Sequence, residues 1–338
     1  MKIKEVNNRK LQKAFLELPV LIYRNDPVWV RPFDKEIESI FDPKKNIYFE
    51  HGEAIRWVLY DDRQNPIGRV AAFIDRNSCD KHKQPTGGMG FFECIHLQDA
   101  ASVLFDTARE WLQERGMEAM DGPVNFGETD KYWGLLVDGF KHPSYEIAYN
   151  HPYYHELFEN YGFQTYFKQE GFHLDVTEPL PPRFERIAER VASNPEYEFK
   201  HFTWKEADKY ILDFVNVFNE AWDSFKENFE PLEVSYIKKT LKKAKAIIDE
   251  EFIWIAYCKG KPIAIYLMYP DVNLILRHLN GRLNPIAMLK FLYLKKIKTM
   301  NRARGVLMGV IPAFQSRGIE AGIILNLVRV FERKPHYR

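Results

Sequence analysis

Cysteine is scarce, with three among 338 residues. Cys79, Cys94 and Cys258 stand far apart and form no C-x-x-C pair, which excludes a disulfide framework and a thiolate zinc site and reads as a reduced, intracellular chain. No stretch approaches the roughly 18 consecutive apolar residues that a bilayer-spanning helix needs. The opening "MKIKEVNNRKLQKAFLELP" carries a cation in most turns and no apolar block, unlike a signal peptide. An excess of either charge is missing too: 48 Lys and Arg face 47 Asp and Glu, a net charge of +1. Nothing therefore pulls the whole chain toward nucleic acid or an anionic membrane, and any such affinity must be local. Walker A, G-x-S-x-G and H-E-x-x-H patterns are absent. "NHPYYH" does place His151 and His155 at i, i+4, but no third ligand accompanies them, and no metal is expected. The reading is a soluble cytoplasmic protein with no nucleic-acid partner.

What the chain does have is apolar content, 46% of it, enough for two ordinary cores over this length. Helix and strand signals alternate, which predicts mixed α/β layers. The prolines at 179, 181 and 182 interrupt that alternation. They divide the chain into a domain at 1–178, a linker at 179–195 holding a short amphipathic helix at 183–193, and a domain at 196–338.

The two halves echo each other. "AIRWVLYDDRQNPIGRVAAFID" and "EFIWIAYCKGKPIAIYLMYPD" each read as two alternating strands about a polar turn, with Trp57, Tyr60, Pro66 and Ile67 matching Trp254, Tyr257, Pro262 and Ile263. A strand and an amphipathic helix follow each hairpin. In the first half these are "GMGFFECIHL" and a helix with Leu104, Ala108, Trp111 and Leu112 on one face. In the second they are "RGVLMGVIP" and a helix with the stripe Ile319, Ile323, Ile324, Leu327, Val330 and Phe331. "PTGGMG" reads as a turn.

The turn before the last helix carries chemistry. A helix N-terminus presents unpaired N–H groups and a partial positive charge, and phosphates bind there. Gly318 and Ser316 leave room for a diphosphate to approach the backbone, and Arg317 adds a cation with bidentate reach. A tight turn with a solvated arginine is the other reading. In the first half the same turn is "HLQDAAS", where Asp99 is placed to cap the helix and to repel phosphate. The second turn is then the working site and the first a relic.

With these elements in place, the second half resembles the GNAT acyltransferase superfamily. Gln315, Ser316, Arg317 and Gly318 match the first four positions of its Q/R-x-x-G-x-G/A signature, Ile319 fills the fifth, and Glu320 departs from the sixth. The resemblance implies acetyl-CoA or another acyl-CoA as cofactor, with its pyrophosphate on this loop and its pantetheine arm along Met308 to Ile311. In the first half, Asn150, Tyr154, Glu159, Tyr161, Gly162 and Phe163 fit the family's closing segment. "GPVNFGETDKYWGLLVDGF", "FNEAW", "YPDVN" and "NGRLNP" make the whole chain similar to uncharacterised bacterial tandem-GNAT proteins. The fold implied is α/β (α+β): two GNAT-like domains in tandem, each a mixed, mostly antiparallel sheet flanked by helices, the second lacking its final elements.

The activity implied is acyl transfer from a thioester to a small-molecule amine, without a covalent nucleophile. A carboxylate, or a water held by one, takes the amine proton, and a strand N–H, that of Val310 or Ile311, polarises the thioester carbonyl. Glu220 in "FNEAW" and Asp271 with Asn273 in "YPDVN" are candidates for the base, or else a helix surface and a turn cap. Residues 290–304 hold six cations and no acid. They read as a helix packed through Phe291, Leu292, Leu294 and Ile297 with a solvated basic face, or as a surface for CoA phosphates or a membrane interface. An open sheet edge in the second domain leaves room for a homo-oligomer. A non-catalytic tandem-GNAT protein that binds a ligand or partner is the alternative to a transferase.

Overall fold

The computed structural model describes residues 1–79, 84–128, 131–223, 231–282, 284–297 and 300–337. Its backbone forms two units: Met1–Gly171 with Asn273–Leu294, and Phe172–Val272 with the chain from Lys295 on.

The first unit begins with strand β1 (Lys2–Glu5) and helix α1 (Arg9–Ile22). Asn8 sets the start of α1, since its side chain accepts the Leu11 N–H at 3.1 Å and satisfies one of the helix's orphan donors. After α2 (Asp34–Ile40), β2 (Gly52–Tyr60) and β3 (Pro66–Asp75) form the antiparallel hairpin that the alternating pattern predicts. Then come α3 (Arg76–Cys79), β4 (Thr86–Cys94), α4 (Gln98–Gln113), β5 (Ala119–Asp121) and α5 (Tyr153–Tyr161). The sheet order is β1-β2-β3-β4-β5, and its one parallel pairing joins β4 to β5 over three residues, Thr86↔Ala119 to Gly88↔Asp121. The rest of β4 runs on without that partner. It carries a bulge where Arg69 faces Glu93 but Ala71 faces Gly90, with Phe91 at φ +52°. "PTGGMG" is therefore strand rather than turn. Its glycines answer close approach: a Cβ on Gly90 would fall 1.8 Å from the Val124 carbonyl oxygen, and one on Gly88 2.1 Å from the Phe73 ring. On α4, Leu104, Ala108, Trp111 and Leu112 are all buried, as their spacing requires.

The second unit starts with α6 (Pro182–Ala192), β6 (Tyr197–His201), α7 (Ala207–Trp222) and α8 (Val234–Ala244). The hairpin β7 (Ile253–Cys258) and β8 (Lys261–Pro270) follows. The chain then makes an excursion through α9 (Asn273–Leu276) and α10 (Pro285–Ile297), returns as β9 (Ala303–Val310) and ends in α11 (Ile319–Arg333). The sheet order is β6-β7-β8-β9, antiparallel throughout. A single cut near residue 178 misplaces the excursion, because residues 273–294 group with the first unit. Hydrogen bonds explain why: Asn273 Nδ2 donates to the Pro143 carbonyl at 2.9 Å, Arg277 to that of Pro27 at 2.9 Å, and the Asp34 N–H to that of Gly281 at 2.9 Å.

The internal repeat holds residue by residue. Tyr60 faces Pro66 with a register shift just before it, and Tyr257 faces Pro262 with the same shift; Trp57 faces Val70, and Trp254 faces Tyr266. One step later the Ile95 N–H donates to the Ile67 carbonyl and the Ile311 N–H to the Ile263 carbonyl, both at 3.0 Å. The helix after each strand is covered differently. In the first unit α5 lies on α4 through Phe158 and Tyr161 against Phe105. In the second, α6 packs on α11, with Ala188 against Ala321 and Leu325, although α6 comes before its sheet in the chain.

Close packing in the second unit gives a stability test. A Cβ on Gly309 of β9 would lie 2.2 Å from the Trp222 ring. Gly309→Ala is expected to cost about 1–3 kcal/mol by overpacking, read from urea denaturation. The cost should shrink in the Trp222→Ala background, and additive effects would mean that the two do not meet.

Candidate functional site

β9 ends at Val310, a short 3-10 turn covers Pro312–Phe314, and α11 begins at Ile319. The chain turns between them through two left-handed residues, Ser316 at φ +58° and Gly318 at φ +78°. Turn conformations that alternate in hand aim successive backbone N–H groups into one concavity. Among the described residues no hydrogen bond is made to the N–H groups of Ser316, Arg317 or Gly318, and Gln315, Ser316 and Arg317 are exposed. A Cβ on Gly318 would lie 2.9 Å from Ile187 Cγ2 of α6. Glycine is thus required twice, by its φ and by its neighbour. Arg317 lies over the Phe314 ring at 4.8 Å, and Glu320 is half-buried in the first turn.

The strand end beside the loop is partly committed. Ile311 has spent its N–H on Ile263, which removes it as a donor to a thioester carbonyl. Because N–H groups alternate along a strand, Val310 turns its own toward the edge away from β8. On that edge the Val310 carbonyl accepts from Gln315 Nε2 at 3.1 Å.

The first unit fills the same place differently. Cys94 occupies the position of Val310, and α5 takes both its backbone groups: the Cys94 N–H donates to the Tyr154 hydroxyl at 3.0 Å, and the Tyr153 hydroxyl donates to the Cys94 carbonyl at 2.7 Å. Burial and the charge of Glu93 push the Cys94 thiol up to about 12. Asp99 does not cap α4. The extended Leu97 is the capping residue, with no side-chain hydrogen bond, which puts Asp99 inside the first turn. There its charge still complements the helix dipole.

A cavity of about 130 Å³ lies in the first unit, under the bulge of β4. Arg69, Phe91, Glu93, Tyr145, Tyr149 and Tyr154 are among its walls. Glu93 accepts from the Tyr154 hydroxyl at 2.7 Å and stands 3.5 Å from Arg69 Nη2, while Arg69 Nη1 donates to the Phe15 carbonyl at 2.7 Å. The Tyr23 hydroxyl, also buried, stands beside Glu93 and Tyr154. Burial raises the Glu93 carboxyl above the ordinary range, against the opposing pull of Arg69 and Tyr154, and lowers the Arg69 guanidinium. A carboxyl so shifted and facing a cavity is the form a proton acceptor takes.

The three carboxylate and amide candidates of the sequence are not brought together. Glu220, on α7, is exposed and 3.4 Å from Lys261 Nζ. Asp271 is fully buried and ion-paired with Arg302, so its carboxylate is already spent. Asn273 belongs to the first unit, where it lines the cavity. Glu93 went unnoticed, yet a signal existed: Arg69 in "IGRVAAF" and Glu93 in "FFECI" are lone charges inside runs that the hairpin pattern buries. "GPVNFGETDKYWGLLVDGF" supplies the cavity residues Pro123, Tyr132, Gly134 and Leu135, although Thr129 and Asp130 lie outside the described residues.

The chain matches no protein-family model. It is 28% identical over 310 residues to "Bacterial ceramide synthase" of Caulobacter vibrioides (strain NA1000 / CB15N), covering 90% of this chain and 79% of the relative. It is 25% identical over 333 residues to "Protein YghO" of Escherichia coli (strain K12), covering 98% and 84%. Two solved structures align over nearly all of it. One is a GCN5-related glucosamine N-acetyltransferase region in a fungal multi-domain GH3 β-N-acetylglucosaminidase, at TM-score 0.53 and 13% identity, covering 99% of this chain and 34% of that one. The chain thus spans about a third of the fungal protein. The other is a tandem GNAT protein from the clavulanic acid biosynthesis pathway, at TM-score 0.51 and 11% identity, covering 100% and 87%. The chain has the tandem GNAT fold.

Glu93 makes stability depend on pH. A carboxyl raised in the folded state favours folding while protonated, and that contribution fades as pH climbs from its ordinary value, 4.5, through the raised one. The wild type is therefore expected to lose stability over that interval relative to Glu93→Gln, which cannot titrate. Parallel pH–stability curves from chemical denaturation would contradict this.

Proposed function

We propose that the chain is an acyl-CoA-dependent N-acyltransferase whose diphosphate site is the loop at 315–319. The observation that carries this reading is the set of N–H groups at Ser316, Arg317 and Gly318 that make no hydrogen bond among the described residues, at the start of a 15-residue helix. The donor set suits a diphosphate, with backbone N–H groups, a helix dipole and one guanidinium. CoA would supply the acyl group already activated as a thioester. Gly318 and Ser316 keep the approach clear, Arg317 pairs with phosphate oxygens, Ile319 anchors the helix start in the core, and the Val310 N–H, turned to the open edge of β9, is the donor left for a carbonyl. Gln315 would have to release the Val310 carbonyl for a pantetheine amide to pair with it.

The acceptor in this proposal is a small-molecule amine, and a carboxylate or a water held by one takes its proton. Glu220 and Asp271 are held in an exposed and a buried ion pair. The name of the Caulobacter relative points to the class of amine, since a ceramide is the amide of a fatty acid with a long-chain amino alcohol. The scattered positions of Glu220 and Asp271 favour the alternative of a non-catalytic binder, for which acyl-CoA binding without turnover would be the signature.

Variants of the two strand-to-helix turns test this. By calorimetry, Gly318→Glu is expected to abolish acyl-CoA binding and Arg317→Ala to weaken it about 10- to 100-fold, with Asp99→Gly unchanged. Equal effects at 99 and 318 would refute the loop assignment.

A further inference from the structure

α10 buries Ala287, Phe291 and Leu294 along one side. The sequence expectation added Leu292 and Ile297 to that packed side, but both are exposed. At 100° per residue, Ile286, Leu289, Leu292 and Tyr293 fall on the outward arc, and they are exposed by 77, 69, 50 and 62%. Single exposed leucines need no explanation. A surface helix that clusters apolar residues on its outward side as well as on its packed side does, because such a face is normally covered.

The surrounding charge says by what. From Val272 to Ile319 the sequence contains no Asp or Glu and nine Lys or Arg, in a chain whose charges balance only as a whole. Lys290 and Lys295 flank the apolar arc and Lys296 stands within it, where long stems can lie along an apolar phase while the ammonium reaches headgroups. Lys295 donates to the Ala246 carbonyl and Lys290 to that of His278 at 2.8 Å, which leaves each ammonium further N–H groups for headgroups. Of the basic run, Lys298 and Thr299 lie outside the described residues. A second copy of the chain fits poorly, since a two-fold contact would set this acid-free, lysine-bearing face against itself.

We propose that the outward face of α10 docks on an anionic lipid leaflet, with Leu289, Leu292 and Tyr293 in the interfacial region and the lysines on lipid phosphates. This lies beyond the transferase reading and does not depend on it. An apolar face rimmed by cations is what an interfacial helix requires, and each cation adds attraction that salt screens.

The test is co-sedimentation of the full chain with phosphatidylcholine vesicles, with and without phosphatidylglycerol. Binding is expected to rise with the anionic lipid and to fall with salt. Leu289→Glu and Leu292→Glu should each lower the partition by about tenfold or more. Leu212→Glu, at an exposed leucine of α7, should leave it unchanged, with all three variants checked for native circular dichroism. Absence of wild-type binding at low salt, or equal binding by the α10 variants, overturns the proposal. So does an oligomer that Leu292→Glu dissociates without any vesicle binding by the wild type. Acyl-CoA binding measured on the same proteins keeps this outcome separate from the fate of the loop assignment.

Discussion

A strand that leaves its last neighbour must still find partners for the N–H and C=O groups along its freed edge. Both units of this chain reach that condition at one place, where the strand after the hairpin runs out just before a helix N-terminus. How each unit answers determines what it can do. The first spends two phenols of α5, Tyr153 and Tyr154, on the N–H and carbonyl of Cys94. The second spends only the Gln315 amide, on the Val310 carbonyl. A side-chain amide on an exposed loop is far easier to displace than two tyrosines anchored in a helix. The open edge and the open helix start therefore coincide in the second unit.

The buried charges divide along similar lines. Asp271 has no exposure, and its carboxylate is matched by the guanidinium of Arg302, which leaves a pair that holds the end of β8 to the start of β9. Glu93 is buried too, but its guanidinium partner stands at 3.5 Å and divides its hydrogen bonds with the Phe15 carbonyl. An incompletely compensated carboxylate beside a cavity costs stability in its charged form. That cost is the kind of local inconsistency that marks working sites, because nothing in packing alone requires a charge there.

The hairpins, the strand-to-helix turns and the helical stripes were legible because period and turn chemistry are local. Pro66 with Ile67, and Pro262 with Ile263, fell into the same register by the same bulge, so matching the sequences was matching the structures. Three other readings failed for reasons that are not local. Gly87, Gly88 and Gly90 look like turn residues until the Leu112 side chain, the Phe73 ring and the Val124 carbonyl are seen at their backs. Asp99 looks like a cap until Leu97 takes the extended conformation that a cap requires. Leu292 and Ile297 look like core because hydrophobicity shows that a side chain prefers cover, not that the chain itself provides it. Glu93 was hard to read for a related reason: "YPDVN" advertises a carboxylate in a turn, whereas Glu93 hides inside a strand whose pattern announces core.

An internal repeat would ordinarily close both copies in the same way, and the departure has a physical source in chain order. The helix that covers α11 is α6, which precedes its sheet and so carries nothing over the edge of β9; the helix that covers α4 is α5, which follows its sheet and brings Tyr153 and Tyr154 with it. Covering the helix and sealing the strand edge are one event in the first unit and two in the second. The side chains of α6 reach Gly318 through Ile187 and Val191, fixing the left-handed turn from behind while the loop amides stay exposed. A helix supplied from the other direction of the chain can thus complete a core without closing the backbone groups that a cofactor would need.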